Sequence, residues 1–251
     1  MTSVDLNADM GESFGAWPMG DDAALLKIVT SANIACGFHA GDWDVMAETM
    51  KRAVANGVGI GAHPGLPDLQ GFGRRSMQMA PDSVAHMVQY QLGAAQAMAR
   101  AAGGTVRHLK LHGALSHMAV ADGELARRAF AAALEVQPDL VLMVLAATPM
   151  EDAAKALGTE YAAEIFADRG YNDDATLIQR GTPGAMITDA DEAAARISEM
   201  VREGAIISAS GKRTPTRIDT ICLHGDEQGA VAAARALRAR LEADGIRIAP
   251  L

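Results

Sequence analysis

Cysteine is scarce in this chain: Cys36 and Cys222 are the only two in 251 residues, far apart and each set in an apolar stretch. A disulfide scaffold is thereby excluded, and the pair reads as buried free thiols suited to a reducing cytoplasm. Aromatic residues make up 4% of a chain that is 49% hydrophobic, so Ala, Val, Leu, Ile and Met must fill its core. No apolar run approaches the roughly 20 residues of a membrane span, and no basic-then-apolar leader opens the sequence. A soluble cytoplasmic protein is expected. Positive charge is also in deficit, 22 Lys and Arg against 31 Asp and Glu, for a net charge of −9 and a pI near 5.2. With no basic cluster to set against that balance, nucleic acid is not an expected partner.

Several motifs are missing as well. Neither Cys-x-x-Cys nor His-Glu-x-x-His occurs, so a metal would have to be held by residues from separate segments. Around Gly211-Lys212-Arg213, Ile206 stands where a phosphate-binding loop needs its first glycine, and Arg213 replaces Ser or Thr. Gly57-Val58-Gly59-Ile60-Gly61 lacks dinucleotide-binding spacing. The chain has no standard cradle for ATP.

What is present begins with the stretch from Val4 to Ser13. Side chains alternate along a strand, so Asp5, Asn7 and Asp9 share one face while Val4, Leu6 and Ala8 share the other. Gly11 breaks the run and Glu12 follows in the turn. Alone, this pattern fits a solvated edge strand. It recurs, however, as short apolar strands that end in histidine or carboxylate beside glycine: Phe38-His39-Ala40-Gly41-Asp42, His63-Pro64-Gly65, His112-Gly113 and His224-Gly225-Asp226. The fourth expected strand, 105–112, places His108, Lys110 and His112 on one face, and the sixth, starting at 164, contributes Glu164 and Asp168. A short strand is expected over 205–208, and strands alternate with helices expected over 44–56, 82–102, 122–134, 150–157, 189–203 and 228–243. Asp82 is the expected cap of the long second one. Six or seven strand–helix units without a linker or composition shift predict an α/β parallel sheet, one domain over 1–251. Converging strand ends are how an α/β barrel builds an active site.

Two chemistries suit such a mouth, and the residues leave both open. One is a divalent metal on neutral imidazoles and a carboxylate, with His39, His63, His112 and Asp5 as candidate ligands. The other is metal-free acid–base hydrolysis by Asp9, Glu12, His112, Asp168 and His224, with Lys110 or Arg169 stabilising an oxyanion. Asn7, His39, His63, Arg74, Arg169 and Asp226 are candidate substrate-binding residues. Arg74-Arg75 lies in a long loop over 65–81, a length that usually signals function or mobility.

The motifs Asp5-Leu6-Asn7-Ala8-Asp9-Met10-Gly11-Glu12, Ser31 through Asp42, Gly61-Ala62-His63-Pro64, Gly71-Phe72-Gly73-Arg74, Phe166-Ala167-Asp168-Arg169 and Cys222-Leu223-His224-Gly225-Asp226 resemble the LamB/YcsF family across the whole chain. That family supplies the A subunit of bacterial ATP-dependent 5-oxoprolinase. The resemblance implies an irregular seven-stranded, TIM-barrel-like (β/α) barrel of the glycoside hydrolase/deacetylase type. It also implies ring opening of the lactam 5-oxo-L-proline to L-glutamate with subunits B and C, ATP being used through those partners. The related barrel suggests a metal-dependent deacetylase or other carbohydrate-active hydrolase as the alternative. A non-catalytic lactam-binding subunit is a further one. At strand four the family reads Lys-Pro-His-Gly-Ala-Leu-Tyr-Asn, whereas here Leu111 replaces the proline and Ser116-His117 the Tyr-Asn pair. Loss of that aromatic would widen the pocket.

Overall fold

A computed structural model describes residues 2–224 and 229–251. The elements run β1 (Ser3–Met10), α1 (Asp22–Leu25), β2 (Ser31–Ala35), α2 (Trp43–Ala55), β3 (Gly59–His63), α3 (Pro81–Ala101), β4 (Val106–Lys110), α4 (Gly113–Ala121), α5 (Gly123–Val136), β5 (Val141–Leu145), α6 (Pro149–Leu157), β6 (Tyr161–Phe166), α7 (Ala190–Glu203), β7 (Ala205–Ile207), β8 (Arg213–Pro215), β9 (Thr220–Leu223), α8 (Ala230–Ala243) and β10 (Arg247–Ile248). Strands β1 to β6 and then β9 pair in parallel, and β9 returns to β1. The result is a closed seven-stranded barrel, the architecture implied by the resemblance. β10 adds in parallel beside β1, outside the closed ring.

The alternation of β1 sets which face is inside. Val4, Leu6, Ala8 and Met10 are buried against the surrounding helices, whereas Asp5 and Asn7 are just as buried but turned into the barrel. A barrel interior is usually filled by Val, Ile and Leu; this one is filled by hydrogen-bonding groups. In the lowest layer Thr30 and Ser31 hydroxyls donate to Asp5 Oδ1 at 2.6 and 2.7 Å, and the Thr220 hydroxyl to its Oδ2 at 2.6 Å. Burial still pushes the Asp5 carboxyl above its ordinary range, the three hydroxyls opposing it. Above it, Asn7 Nδ2 donates to Thr220, and Asn33 Nδ2 donates to Asn7 Oδ1 and Asp9 Oδ1, each at 2.8 Å. β1 is thus an interior strand, and the solvated-edge reading is wrong because every one of those polar groups has a partner inside the barrel.

Three local expectations change. The long third helix starts at Pro81, with Ala80 at the cap position and Asp82 in the first turn, since proline's fixed φ and missing N–H suit the first helical residue. Helix α4 fills the segment after His112 that showed no period, because Gly113-Ala114-Leu115 through Val120-Ala121 is apolar on nearly every side. The expected strand over 205–208 forms, but pairs antiparallel with β8 rather than joining the barrel. Among the described residues no helix is long and apolar enough to cross a membrane.

Gly61 pairs with His108 across the β3–β4 seam, and a methyl group at Gly61 would overlap the His108 imidazole. That ring is fixed by its Nε2 contact with Asn33 Oδ1 at 2.8 Å and cannot swing aside freely. The Gly61→Ala variant should lose about 1–3 kcal/mol of stability, the usual cost of overpacking, readable as a lower urea midpoint with an unchanged slope.

Candidate active site

All the strand carboxyl ends open on one side, and the loops after them carry the candidate groups to a common cavity of about 540 Å³. β1 delivers Asp9, and the turn at Gly11 (φ +67°), whose N–H donates to Asp22 at 2.8 Å, brings Glu12 over the mouth. β3 ends in His63. β4 delivers Lys110, and His112 follows as the residue that starts α4. The loop between β3 and α3 folds back over these groups: Gly73 C=O accepts from Ala114 N–H at 2.9 Å. A side chain at Gly73 (φ +61°) would run into His39 and His112, so only glycine lets this loop close so tightly.

Lys110 is the centre of the inner wall. Its buried ammonium lies 2.8 Å from Glu164 Oε1, 3.0 Å from Asp9 Oδ1, 3.1 Å from Cys222 Sγ and 3.3 Å from Asn7 Oδ1. Burial works against its charge, but Asp9 and Glu164 hold the ammonium well above its ordinary range. Burial likewise opposes ionisation of Asp9, and His63 and Lys110 reverse it, so Asp9 stays a carboxylate well below the usual range. Burial pushes the Cys222 thiol up strongly and the Cys36 thiol up to about 12, so both stay protonated and neither is an activated nucleophile.

Beside this wall three imidazoles meet. His39 and His112 stack with centroids 3.6 Å apart, and His63 meets both edge-on. Desolvation pulls His112 down to about 3 and His39 far below its ordinary value, so these two rings are neutral. His63 Nδ1 lies 2.8 Å from the Lys110 carbonyl and His112 Nε2 lies 2.8 Å from the Phe72 carbonyl. A carbonyl only accepts, so each of those nitrogens must carry the hydrogen. His63 Nε2 and His112 Nδ1 then face each other at 3.1 Å. Asp9 Oδ2 lies 3.3 Å from His63 Nε2, and Glu12 Oε1 lies 3.4 Å from His39 Nε2 and 3.7 Å from His112 Nδ1. A proton on His63 Nε2 or a bound cation would satisfy the acceptors gathered here. One ligand atom from each of Glu12, His39, His63 and His112 falls within 4.8 Å of the others, a donor set that fits a divalent metal. Ring nitrogens anchored to backbone carbonyls are the usual support of metal-binding histidines.

The opposite wall holds a second pair. His224 Nδ1 lies 2.7–2.8 Å from both Asp168 oxygens, and its ring lies against Phe166. His224 lines the cavity and Asp168 stands behind it. Burial opposes ionisation of Asp168, but the His224 contact holds its carboxyl below the usual range.

The structure therefore gathers Asp9, Glu12, His63, Lys110, His112, Arg74, Arg169 and His224 around one cavity. Asp5 does not join them. It lies four residues down β1, roughly 13 Å from Asp9 at strand rise, with its oxygens taken by Thr30, Ser31 and Thr220; Glu12 stands in its place in the metal-compatible set. Asn7 sits beneath the cavity, supporting Lys110 and Asn33. Asp42 caps α2, accepting from Asp44 and Val45 N–H. Asp226 lies outside the described residues. Sequence reasoning passed over Asn33, which the alternation Ser31-x-Asn33 of β2 would have pointed to. It also gave no role to Arg180, whose loop position has no periodic signal.

The LamB/YcsF family model matches residues 4–251. The chain belongs to the LamB/YcsF family. It is 62% identical over 248 residues to the A subunit of 5-oxoprolinase from Ruegeria pomeroyi, covering 99% of this chain and 98% of that one. It superposes with a TM-score of 0.94 and 42% identity on the lactam utilization protein of Thermus thermophilus, covering all of both chains. The fold alone is shared with a family 4 carbohydrate esterase of Streptomyces lividans, at a TM-score of 0.52 and 12% identity over 98% of this chain and 91% of that one.

Removing Lys110 would leave Asp9 and Glu164 facing each other without a counter-charge. Lys110→Met should cost about 3–5 kcal/mol, the range for breaking a buried ion pair from one side. Adding Glu164→Gln to that variant should return part of the loss, since it removes one unpaired charge; urea denaturation of the three proteins measures both effects.

Proposed function

We propose that this chain is the A subunit of an ATP-dependent 5-oxoprolinase and opens the ring of 5-oxo-L-proline to L-glutamate together with subunits B and C. The observation that carries this reading is the 62% identity, spread over 99% of the chain, to a protein of that name. The chemistry of the mouth suits the assignment. Lactam hydrolysis needs a water made nucleophilic, a counter-charge for the oxygen of the tetrahedral intermediate, and a proton for the departing ring nitrogen.

Asp9 is an ionised acceptor on the cavity wall and can take the proton of the attacking water, with the Glu12 carboxyl lining the same cavity. Lys110, fixed between Asp9 and Glu164, provides positive charge at that wall. His224, oriented by Asp168, is the group on the far side able to deliver a proton to the nitrogen as the carbon–nitrogen bond breaks. Glu12, His39, His63 and His112 would hold a divalent metal. When bound, such an ion supplies Lewis-acid polarisation of a carbonyl and lowers the pKa of water.

An amide is a poor electrophile, and phosphorylating its oxygen makes the ring carbon attackable. Subunits B and C do that step in this scheme, consistent with the lack of a phosphate loop in this sequence. Two waters, one lactam and one ATP then give glutamate, ADP and phosphate. The Ser116 hydroxyl, bonded to Met150 Sδ at 3.7 Å, and His117 both line the cavity. The Tyr-Asn to Ser-His change therefore bears on which lactam fits.

ATP-dependent glutamate release from 5-oxoproline should appear only when this chain is mixed with B and C subunits. In that mixture Asp9→Asn or His224→Gln should lower turnover by roughly 10²–10⁴-fold while assembly survives. Deacylation without ATP or partners would replace the reading with the deacetylase alternative. A metal of sufficient affinity should raise the unfolding temperature on Zn²⁺ addition by roughly 5–10 °C at a hundredfold excess over Kd. His63→Ala should abolish that shift, and a shift unchanged in this variant would remove the metal from the scheme.

A further inference from the structure

We infer that Arg180, with Arg74, Arg169 and His117 on the same wall, forms a subsite for the oxyanion that the substrate ring carries. Three separate segments bring these residues to one cavity: the loop after β3, helix α4 and the long connection from β6 to α7, which carries both Arg169 and Arg180. Such a concentration of cations is conspicuous in a chain of net charge −9.

The engagements of the two later arginines divide their roles. Arg169 is buried and donates from Nε to the Ala185 carbonyl at 3.1 Å and from a terminal nitrogen to the Ile178 carbonyl at 2.6 Å. It pins the loop two residues ahead of Arg180. Arg180 is exposed at the mouth, and its hydrogen-bonding contacts among the described residues run to His224 Nε2 at 3.3 Å and Met186 Sδ at 3.8 Å. Of the cavity-lining carboxylates, Asp9 is engaged by Lys110 and His63, and Glu12 Oε1 lies beside His39 and His112.

The crowding of charge is felt within the group. Burial and then the repulsion of Arg169, Arg180 and Arg74 pull His117 below its ordinary value. Burial and then Arg180 lower Arg169 as well. An anion placed among them would relieve that repulsion, and a guanidinium fork matches the two oxygens of a carboxylate or phosphoryl group. His117, standing where the family motif has asparagine, adds a donor to this wall.

On the ring-opening reading, which this inference rests on for the identity of its ligand, two oxyanions qualify. They are the carboxylate of the cyclic amino acid and the phosphoryl group gained on activation. The acid and imidazole wall would then face the reacting carbon while the arginine wall holds the charged substituent, giving the ring one orientation in the cavity.

Calorimetric titration of the isolated chain with 5-oxoproline, with inorganic phosphate and with the uncharged lactam 2-pyrrolidinone separates these cases. At least one of the two anions should bind. Arg180→Gln should weaken it at least about tenfold, with part of the affinity returning in Arg180→Lys and 2-pyrrolidinone unaffected. Sensitivity confined to 5-oxoproline identifies the carboxylate as the ligand, and sensitivity confined to phosphate identifies the phosphoryl group. Binding of neither anion, or equal binding by wild type and a folded Arg180→Gln protein, overturns the subsite. Arg180-dependent phosphate binding without glutamate release in the complete B and C mixture leaves the subsite standing and removes the ring-opening reading instead.

Discussion

A single buried ammonium organises the centre of this barrel. Lys110 touches β1 through Asn7 and Asp9, β6 through Glu164 and β9 through Cys222. It therefore joins three strands that neighbour one another on the far side of the ring from its own. A hydrocarbon core at that level would fill the space and leave nothing reactive. A lone charge would be too costly to bury. The carboxylates make the charge tolerable, and the charge in turn keeps Asp9 ionised at the cavity wall. Stability and chemical readiness thus rest on the same contacts.

The barrel has two different interiors as a result. At the bottom, Asp5 is enclosed by three hydroxyl donors and does not reach the cavity. At the top, imidazole nitrogens and carboxylate oxygens from Asp9, Glu12, His39, His63 and His112 crowd together. The lower layers close the fold, and the upper layer is left dependent on a cation, a proton or a substrate. The loop carrying Phe72 and Gly73 belongs to this upper layer because its carbonyls hold His112 and α4 in place.

Much of this was legible in the sequence. The alternation of Asp5, Asn7 and Asp9 marks a polar interior face, and histidines beside glycine mark the strand ends. Both follow from the period of a strand and the spatial needs of a close-packed mouth. The motifs of the family then supplied the seven-stranded closure that strand counting alone left undecided. What could not be read was depth. Asp5 and Asp9 look equivalent in a two-residue repeat, and only the closed ring shows that one lies at the floor and the other at the mouth. Helix α4 escaped notice because an all-round apolar segment has no period. Arg180 escaped because a loop residue announces its direction only once Arg169 has fixed the chain ahead of it.

The seam where β9 meets β1 has a consequence for how the molecule comes to exist. Thr220 contacts Asp5 and Asn7 across more than two hundred residues of chain. During synthesis the first strand leaves the ribosome with its polar face turned toward a partner that has not been made. Those side chains must remain hydrated, and β2 alone cannot finish their enclosure. Closing the ring is a late, long-range event of the kind that slows folding. Until it happens the inner wall has no fourth side, so the reactive mouth is assembled only when nearly the whole chain is present.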